Sequence, residues 1–445
     1  MNEPVQELLW FVLYNSFIIP LIWVVFHIAE PFSQKVRHGI RGRAETWKSI
    51  QDFLQKVKGN AAPLIVFHSA SLGEYEQIRP ILADLKKDHP DWKLVVTFFS
   101  PSGFEHFKRT ESVDLAIYLP FDSLRSVNRF LKALHPGAIV ITKHDIWPNL
   151  IWAANRRKIP TMLINGTLPA DSAILRFPVS GFYRQVYSRI STIHPASETD
   201  RQQFLKVGAA HSLREVLGDT RFDQVLNRAE ESKTGKFFPE EWKSVPFIFV
   251  AGSTWPSDEA RLIPAVIDFY RENSGSRFII VPHEPTPEHI EPLLKQFAKD
   301  RISVKLYSEW QKNGLLENVR VIVVDQIGIL ANLYAFSDMA YVGGSFDPGV
   351  HNVMEPAASS NVVLFGPKIL NSPEAQELVR RSVGFVVRSQ EEILEKLREF
   401  SSDSNRSKLL QEGARSVVVE NAGATRQIVR SIEQIVSKKQ FHDRR

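Results

Sequence analysis

From residue 61 onward, short apolar runs rich in β-branched side chains alternate with longer amphipathic stretches. Runs that are apolar on both faces, with helix-length crossovers between them, predict parallel strands covered by helices on both sides. Strands are predicted at residues 64–67, 94–99, 115–119, 138–141, 162–164 and 215–217, and again at 247–250, 278–281, 321–324, 340–342 and 362–365. Helices are predicted between them, for example at 74–87, 123–134 and 149–157.

A polar stretch at residues 227–245 separates the two series of strands and contains Gly235 and Pro239, as a linker does. We therefore predict two similar α/β domains that are joined near residue 235 and face each other across a cleft. Ligands of open parallel sheets bind beyond the carboxyl ends of the strands. The residues that directly follow each strand are thus the candidates for chemistry.

Residues 8–29 form an apolar stretch without Asp, Glu, Lys or Arg. As a helix it would be ~33 Å long, close to the hydrocarbon thickness of a bilayer, and it predicts a membrane anchor. A helix buried against the first domain is the alternative, which Asn15 and Pro20 favour. A cleaved signal peptide fits less well, because acidic residues rather than basic ones precede the apolar run. A basic stretch that follows predicts a cytoplasmic location for the rest of the chain: Lys35, Arg37, Arg41, Arg43 and Lys48.

The composition narrows the class of protein. A chain of 445 residues fits two domains of roughly 200 residues each, and 43% hydrophobic with 24% charged residues excludes wholesale disorder. The net charge of +5 can favour an anionic substrate or membrane, but it is too small and scattered to predict a nucleic-acid partner. The absence of cysteine excludes disulfides, thiolate catalysis and thiolate zinc sites.

Two segments of the first half follow predicted strands and carry ionisable side chains. At residues 67–74 (FHSASLGE) a strand enters a turn of small residues, and a helix starts near Glu74. A carboxylate at a helix start stays ionised and can accept a proton; the alternative is an ordinary first-turn Glu74 that complements the helix dipole. At residues 142–149 (TKHDIWPN), Lys143 can stabilise negative charge while His144 and Asp145 position it; a solvated turn is the alternative.

Three further segments complete the candidate chemistry. At 218–223 (GDTRFD), Arg221 can grip a phosphate or carboxylate, or Asp223 can hold it in a structural pair. In the second half, the glycine amides at 343–345 and the helix that opens at 351–356 can bind a phosphate, while Glu355 chelates a ribose diol. The spacing of Asn352 and Glu355 also fits a variant of the capping box. Residues 281–285 and 325–329 follow strands and can wall a slot for a base.

Several motifs are absent from the sequence. It has no G-x-G-x-x-G, no G-x-x-x-x-G-K-[ST] and no G-x-S-x-G motif, so a dinucleotide cofactor, a P-loop and an acyl-transfer serine have no support. It also has no Asp-x-Asp and no H-E-x-x-H, so the sequence predicts neither a metal site nor a cofactor.

In this order and spacing, the segments resemble the 3-deoxy-D-manno-octulosonic acid (Kdo) transferases of Gram-negative bacteria. The resemblance extends from the apolar N-terminal stretch to about residue 430. Its motifs are HSASLGE at 68–74, WPN at 147–149, GDTRFD at 218–223, AGST at 251–254 and GGSFDPGVHNVME at 343–355. It implies the glycosyltransferase-B (GT-B) fold, with two Rossmann-like domains facing across a cleft. The implied divisions are a membrane anchor at 1–32, an acceptor-binding domain at 33–232 and a nucleotide-sugar-binding domain at 240–430.

The resemblance also implies an activity: inverting, metal-independent transfer of Kdo from CMP-Kdo to the lipid A precursor lipid IVA in lipopolysaccharide biosynthesis. The protein would act at the cytoplasmic side of the inner membrane, held there by its N-terminal anchor. Two alternatives stay open at this point. One is a related GT-B enzyme that uses another nucleotide sugar, and the other is a non-catalytic membrane scaffold that binds a nucleotide.

Carried over to this sequence, the general base of the family falls on Glu74, and its two charge-stabilising positions fall on Lys143 and Arg221. Donor contacts are expected at Pro282, His283, Ile327, Gly328, Ile329, Gly343, Gly344, Ser345, Asn352, Val353, Met354 and Glu355. The chain departs from the family pattern at several of these positions. Many members have an acidic residue at position 143, Lys at 221, Arg at 283 and Gly-Glu at 328–329. The cation at position 143 cannot perform the work of a carboxylate.

Overall fold

The computed structural model describes residues 3–59, 61–314 and 318–443. The chain folds into two compact units, an N-terminal unit of Met1–Gln224 with Ala422–Arg445 and a C-terminal unit of Val225–Asn421. Each unit contains one sheet in which every paired strand is parallel. The prediction of two parallel-sheet α/β domains is confirmed.

The described strands are β1 (Leu64–Ser69), β2 (Lys93–Phe98), β3 (Leu115–Tyr118), β4 (Ala138–Thr142), β5 (Thr161–Gly166), β6 (Thr192–Pro195), β7 (Ile248–Thr254), β8 (Arg277–Pro282), β9 (Val304–Leu306), β10 (Val321–Val323), β11 (Met339–Val342), β12 (Val362–Phe365) and β13 (Gly384–Val386). The described α-helices are α1 (Glu3–Leu13), α2 (Ile19–Ala29), α3 (Gln34–Lys56), α4 (Leu72–Asp88), α5 (Pro101–Glu105), α6 (Leu124–Leu134), α7 (Pro148–Arg156), α8 (Val179–Tyr187), α9 (Glu198–Lys206), α10 (Thr220–Lys233), α11 (Pro256–Glu272), α12 (Pro287–Lys299), α13 (Tyr307–Asn313), α14 (Leu330–Leu333), α15 (Met354–Ala358), α16 (Pro373–Arg380), α17 (Gln390–Ser402), α18 (Ser404–Glu420) and α19 (Ala424–Asp443).

The sheet of the N-terminal unit has the strand order β3-β2-β1-β4-β5-β6. Strand β1 is buried along its whole length, because alternate residues enter the apolar clusters on the two faces of the sheet. The order reverses between β1 and β4, so the carboxyl ends of these two neighbours form the switch point where ligands of such sheets bind.

The last helix belongs to the N-terminal unit, whereas the sequence analysis places residues up to 430 in the second domain. Buried Ile428 and Ile432 of α19 share an apolar cluster with Ile78 and Leu82 of α4. Asp223 caps the start of α19, since its carboxylate accepts from the N–H groups of Gly423 at 2.7 Å and Thr425 at 3.1 Å. The predicted linker at 227–245 begins inside α10 and lies within the C-terminal unit.

The prediction of a strand at 215–217 is wrong. This segment has no regular secondary structure, and near it lies a single isolated bridge between Ile193 and Leu213. Strand β6 occupies the edge of the sheet instead. The strands β6, β9 and β13 were not predicted, because their sequences TIHP, VKL and GFV are too short to stand out from the neighbouring turns.

The N-terminal segment is a nearly continuous helix, in which a π-helical turn at Tyr14–Ile18 joins α1 to α2. Residues Val5–Ala29 are long and apolar enough to cross a membrane, and most of them are exposed. One row of side chains nevertheless packs on the N-terminal unit. The Tyr14 hydroxyl donates to Asp122 at 2.9 Å, and the side-chain amides of Asn15 and Asn149 bond each other reciprocally at 2.8 and 3.1 Å. The anchor helix, as we call residues 3–29, thus has a docked face and an exposed apolar face.

The sheet of the C-terminal unit has the order β13-β12-β11-β7-β8-β10-β9. Its first strand, β7, lies between β8 and β11, so the switch point of this sheet is at the carboxyl ends of β7 and β11. The loops that follow these two strands contain Trp255 and Gly343.

Candidate active site

Glu74 lies in the first turn of α4, directly after β1, at the switch point of the N-terminal sheet. Ser71 caps this helix by accepting from the N–H of Glu74 at 3.4 Å, and the Glu74 carboxylate folds back to accept from the N–H of Ala70 at 2.5 Å. The side chain is buried, with Glu74 8% exposed. Burial raises the pKa of Glu74, although the Ala70 hydrogen bond lowers it in part. A buried carboxyl with a raised pKa is suited to accept a proton.

A second carboxylate adjoins Glu74 and is held by a histidine. Asp145 Oδ2 lies 2.8 Å from Nε2 of the fully buried His68, and it also accepts from the Trp147 indole at 3.2 Å. Burial raises the pKa of Asp145, but the hydrogen bond and charge of His68 outweigh it, so that the pKa is lowered overall. Asp145 therefore stays ionised, and its charge raises the pKa of Glu74 further.

His68 itself is oriented from the far side of its ring. Its Nδ1 lies 2.9 Å from the hydroxyl of Thr97, and that hydroxyl donates to the carbonyl of Phe67 at 3.2 Å. Because the hydroxyl proton is used there, Nδ1 of His68 is the donor to Thr97. The sequence analysis quoted His68 and Asp145 within motifs but did not predict their pairing, since 77 residues separate them.

Lys143 is the first residue after β4 and has a left-handed backbone with φ +63°. Its N–H donates to the carbonyl of Ile164 at 2.9 Å, which holds this turn against β5. The ammonium charge of Lys143 lowers the pKa of Glu74. The fold thus brings Glu74 and Lys143 together, as the positions of β1 and β4 predict.

Arg221 lies in the first turn of α10 and is fixed by Asp219. Both the N–H and the Nε–H of Arg221 donate to this carboxylate, at 2.8 and 2.7 Å. The same turn is tied to the end of β5, because the Asn165 amide donates to the Thr220 hydroxyl at 2.6 Å and accepts from the Thr220 N–H at 3.2 Å. The structural partner suggested for Arg221 was Asp223, but Asp223 caps α19 instead.

In the C-terminal unit, Asp258 connects the loops that follow β7 and β11. Its fully buried carboxylate accepts from the N–H groups of Gly344 at 2.8 Å and Trp255 at 2.9 Å and from the Tyr341 hydroxyl at 2.8 Å. Gly343 permits the close approach of the two loops, because a Cβ there would lie 2.2 Å from the carbonyl oxygen of Ser253. The glycine turn is therefore rigid before any ligand arrives.

Ser345 has a structural use for its hydroxyl. The hydroxyl donates to the carbonyl of Val342 at 3.0 Å and accepts from the N–H of Gly366 at 2.6 Å, and the residue is fully buried. In the predicted phosphate-binding turn, the N–H groups of Gly343 and Gly344 also have partners within the protein, namely the Gly252 carbonyl at 2.9 Å and Asp258 at 2.8 Å.

Two histidines stack beside the glycine turn. The rings of His283 and His351 have centroids 4.3 Å apart with an angle of 12° between them, and the Trp255 ring also stacks on His283, at 4.9 Å. The Trp255 indole donates to Nε2 of His351 at 2.9 Å, so this nitrogen carries no proton. Burial, followed by the charge of His283, lowers the pKa of His351. Trp255 and His351 were not predicted as site residues.

Arg228 joins the two remaining donor segments. Its guanidinium donates to the carbonyl of Gly328 at 2.8 Å and to the Asn332 side chain at 3.3 Å, and it lies 4.0 Å from the Glu355 carboxylate. The capping-box interpretation of Glu355 is wrong, because α15 begins at Met354 without a side-chain cap. The Asn352 side chain accepts from the Met354 N–H at 3.0 Å instead.

The other predicted donor residues differ in exposure. Ile327 is 86% exposed and precedes Gly328, whose φ of +89° turns the chain into α14. Val353 and Met354 are buried, and Pro282 ends β8 with its side chain in the interior. Ile329, at the start of α14, is half-buried. Of these, only Ile327 presents a large apolar side chain to solvent.

Comparison with known proteins shows which proteins the chain is similar to. Residues 44–224 match the family model described as 3-deoxy-D-manno-octulosonic-acid transferase (kdotransferase). The chain is 26% identical over 434 residues to the 3-deoxy-D-manno-octulosonic acid transferase of Chlamydia muridarum, covering 93% of this chain and 94% of that protein. It is 27% identical over 376 residues to the enzyme of the same name from Haemophilus influenzae, covering 82% and 85%. The chain is a relative of the Kdo transferases. The resemblance predicted from the sequence is confirmed.

Another relative carries a second activity. The chain is 27% identical over 322 residues to a bifunctional glycosyltransferase/methyltransferase of Fusobacterium nucleatum, covering 70% of this chain but 49% of that protein. The names of these relatives support a glycosyltransferase activity for this chain.

Solved structures confirm the fold. The UDP-GlcNAc 2-epimerase of Neisseria meningitidis matches with a TM-score of 0.57 at 16% identity, covering 84% of this chain and all of that one (100%). A glycosyltransferase of Rickettsia africae matches with a TM-score of 0.53 at 14% identity, covering 85% and 99%. The two α/β units are those of the GT-B type.

Proposed function

We propose that this protein transfers Kdo from CMP-Kdo to a hydroxyl group of the lipid A precursor lipid IVA, with inversion and without a metal. The observation that carries the proposal is the buried Glu74 carboxyl with its raised pKa, beside Lys143 and the His68–Asp145 pair. The named activity of the relatives supports the choice of sugar.

The N-terminal unit provides the acceptor side of this reaction. Glu74 removes the proton from the attacking hydroxyl, and the raised pKa makes it a stronger base than an exposed glutamate. Lys143 keeps Glu74 ionised between turnovers, because its cation favours the charged form. This role suits a lysine and explains why position 143 does not need the acidic residue common in the family.

The C-terminal unit provides the donor side. The turn at residues 343–345 lies against the phosphate, Glu355 bonds the ribose hydroxyls, and residues 327–329 border the cytosine. Arg221, which belongs to the N-terminal unit and is fixed by Asp219, offers a cation to the carboxylate or phosphate of the donor. CMP leaves with the negative charge as the acceptor hydroxyl attacks, so the reaction needs no covalent intermediate with the enzyme.

We place the enzyme at the cytoplasmic face of the inner membrane. The exposed apolar face of the anchor helix would enter the bilayer, and the exposed Lys35, Arg41 and Lys48 of α3 would meet anionic headgroups. The glycolipid acceptor resides in the same membrane, so this arrangement holds the enzyme close to its acceptor.

Mass spectrometry of the reaction products tests the proposal. The full chain, purified in detergent, is incubated with lipid IVA and either CMP-Kdo or UDP-GlcNAc in the presence of EDTA. We expect glycolipid heavier by Kdo only in the CMP-Kdo reaction. Unchanged lipid IVA with CMP-Kdo, or addition of N-acetylglucosamine, would refute the proposed donor.

A further inference from the structure

A cavity of about 430 Å³ lies within the N-terminal unit, between the anchor helix and the loop after β4. On the helix side it is lined by Trp10, Tyr14, Ile18 and Ile22, which recur at intervals of four residues. We call this space the anchor cavity. The mechanism described above does not use it.

The aromatic walls of the anchor cavity are fixed in place. The ring of Phe182, which lines it from α8, has its centroid 5.7 Å from that of Trp10 and 5.6 Å from that of Tyr14. Tyr14 is in turn held by its hydrogen bond to the buried Asp122. The cavity is therefore preformed, with apolar walls that a hydrocarbon can contact without reorganisation.

One end of the anchor cavity is polar. Asp145 lines it, and this is the carboxylate that pairs with His68 and raises the pKa of Glu74. The cavity thus leads from the anchor helix to the side-chain cluster that contains the proposed base.

The surface around the helix side of the cavity is apolar. Phe17 and Leu21, neighbours of the lining Ile18 and Ile22, are 66% and 63% exposed. A continuous apolar face of this kind on a helix that is otherwise docked enters a lipid phase. A ligand of the cavity must accordingly combine a hydrocarbon tail, which reaches it from the lipid side, with a polar head near Asp145.

We propose that the anchor cavity binds one acyl chain of the glycolipid acceptor, and that this contact brings the sugar hydroxyl to Glu74. The inference rests on the proposed function for the identity of the head group, but the cavity's preference for an acyl chain is separately measurable. The anchor helix then has two tasks, since its exposed face holds the enzyme in the membrane while its docked face selects the substrate.

A cavity-filling substitution with a matched control tests the inference. Ile18→Trp places an indole in the anchor cavity, whereas Leu21→Trp adds the same group on the exposed face of the same helix. KM and kcat are measured for lipid IVA and for its fully deacylated, water-soluble form. Each lost methylene contact changes affinity about fourfold, so losing two raises KM by more than tenfold.

We expect Ile18→Trp to raise KM for lipid IVA more than tenfold and to leave the deacylated acceptor within twofold, while Leu21→Trp changes neither. Equal effects of Ile18→Trp on both acceptors, or no effect on either, would overturn the inference. Binding of both variants to phosphatidylglycerol vesicles is measured alongside, and it should equal that of the wild type.

Photocrosslinking keeps the inference testable if Ile18→Trp fails to fold or if the wild type transfers no Kdo. Lipid IVA with a diazirine on one acyl chain is irradiated with the wild-type protein, and the modified peptide is identified by mass spectrometry. Crosslinks to Trp10, Ile18, Ile22 or Phe182 support the cavity, even where absent transfer refutes the proposed function. Crosslinks confined to the exposed face of the anchor helix, or none, refute the cavity.

Discussion

Replacing Glu74 by Gln removes the proposed base while preserving the shape of its site. The amide oxygen of the new side chain can still accept from the Ala70 N–H, which lies 2.5 Å from Glu74 Oε2. Because burial raises the pKa of Glu74, ionising this carboxyl costs stability at neutral pH, and the neutral amide avoids that cost. The variant should therefore fold at least as stably as the wild type.

The kinetic effect should be large. A positioned general base contributes roughly 10²–10⁴-fold, so kcat should fall at least ~100-fold, or about 2.7 kcal/mol in activation free energy. Affinity for CMP-Kdo, measured by calorimetry, should stay within about threefold, since no donor contact is assigned to Glu74. The matched control is Glu76→Gln on the same helix, which removes only the surface ion pair with Arg79 at 3.2 Å and should leave kcat unchanged.

The pH dependence of kcat/KM is a second test of the role of Glu74. Glu74 must be ionised to accept a proton, so kcat/KM should fall as the pH drops through its raised pKa, above the ordinary value of 4.5 for glutamate. Turnover by Glu74→Gln above a tenth of the wild-type rate, or loss of donor affinity equal to the loss of kcat, would refute this reasoning.

Three other substitutions test separate parts of the account. Lys143→Met removes a cation that lowers the pKa of Glu74, so the acid limb of the kcat/KM profile should move to higher pH. An acid limb that does not move would show that Lys143 does not act on the ionisation of Glu74. Tyr14→Phe removes a donor to Asp122, whose pKa burial raises to about 7. Because the native state binds the Asp122 proton more tightly than the unfolded state, wild-type stability should fall as the pH rises from about 4 to about 7. Urea unfolding at pH 8 should show Tyr14→Phe less stable than the wild type by about 1.5–3 kcal/mol, and the loss should be smaller at pH 6. Gly343→Ala sets a Cβ 2.2 Å from a carbonyl oxygen, so titration with CMP should show at least tenfold weaker binding, and wild-type affinity would contradict the assigned phosphate turn.

The parallel sheets were predictable because their central strands are buried on both faces. Residues 64–67 read as a continuous apolar run, and β1 is buried throughout, as that pattern requires. The sheet edges were not predictable in the same way. Strand β6 mixes Thr192, His194 and Pro195 with one isoleucine, so its pattern resembles that of a turn.

In the candidate site, too, some residues were predictable from the sequence and others were not. Glu74 and Lys143 were identifiable because each follows a predicted strand and the carboxyl ends of neighbouring parallel strands meet. The partners that tune or position them required the fold. His68 and Asp145 are 77 residues apart in sequence, and Arg228 reaches Gly328 across 100 residues.

The stacked rings near the glycine turn show why local patterns were insufficient. Trp255 and His351 lie 96 residues apart, and neither belongs to a motif whose spacing indicates a contact. Their proximity follows from the order of the sheet, which places β7 beside β11. A sequence that predicts both strands does not by itself give that order.

The central claim is that the acceptor hydroxyl displaces CMP directly, so that each Kdo transferred releases one CMP. The most direct test is to quench one reaction of the purified protein with CMP-Kdo and lipid IVA at successive times and to quantify CMP and Kdo-bearing glycolipid in the same sample. The account predicts equal amounts of both at every time, and almost no CMP when lipid IVA is omitted. CMP formed at the same rate without the glycolipid would contradict it.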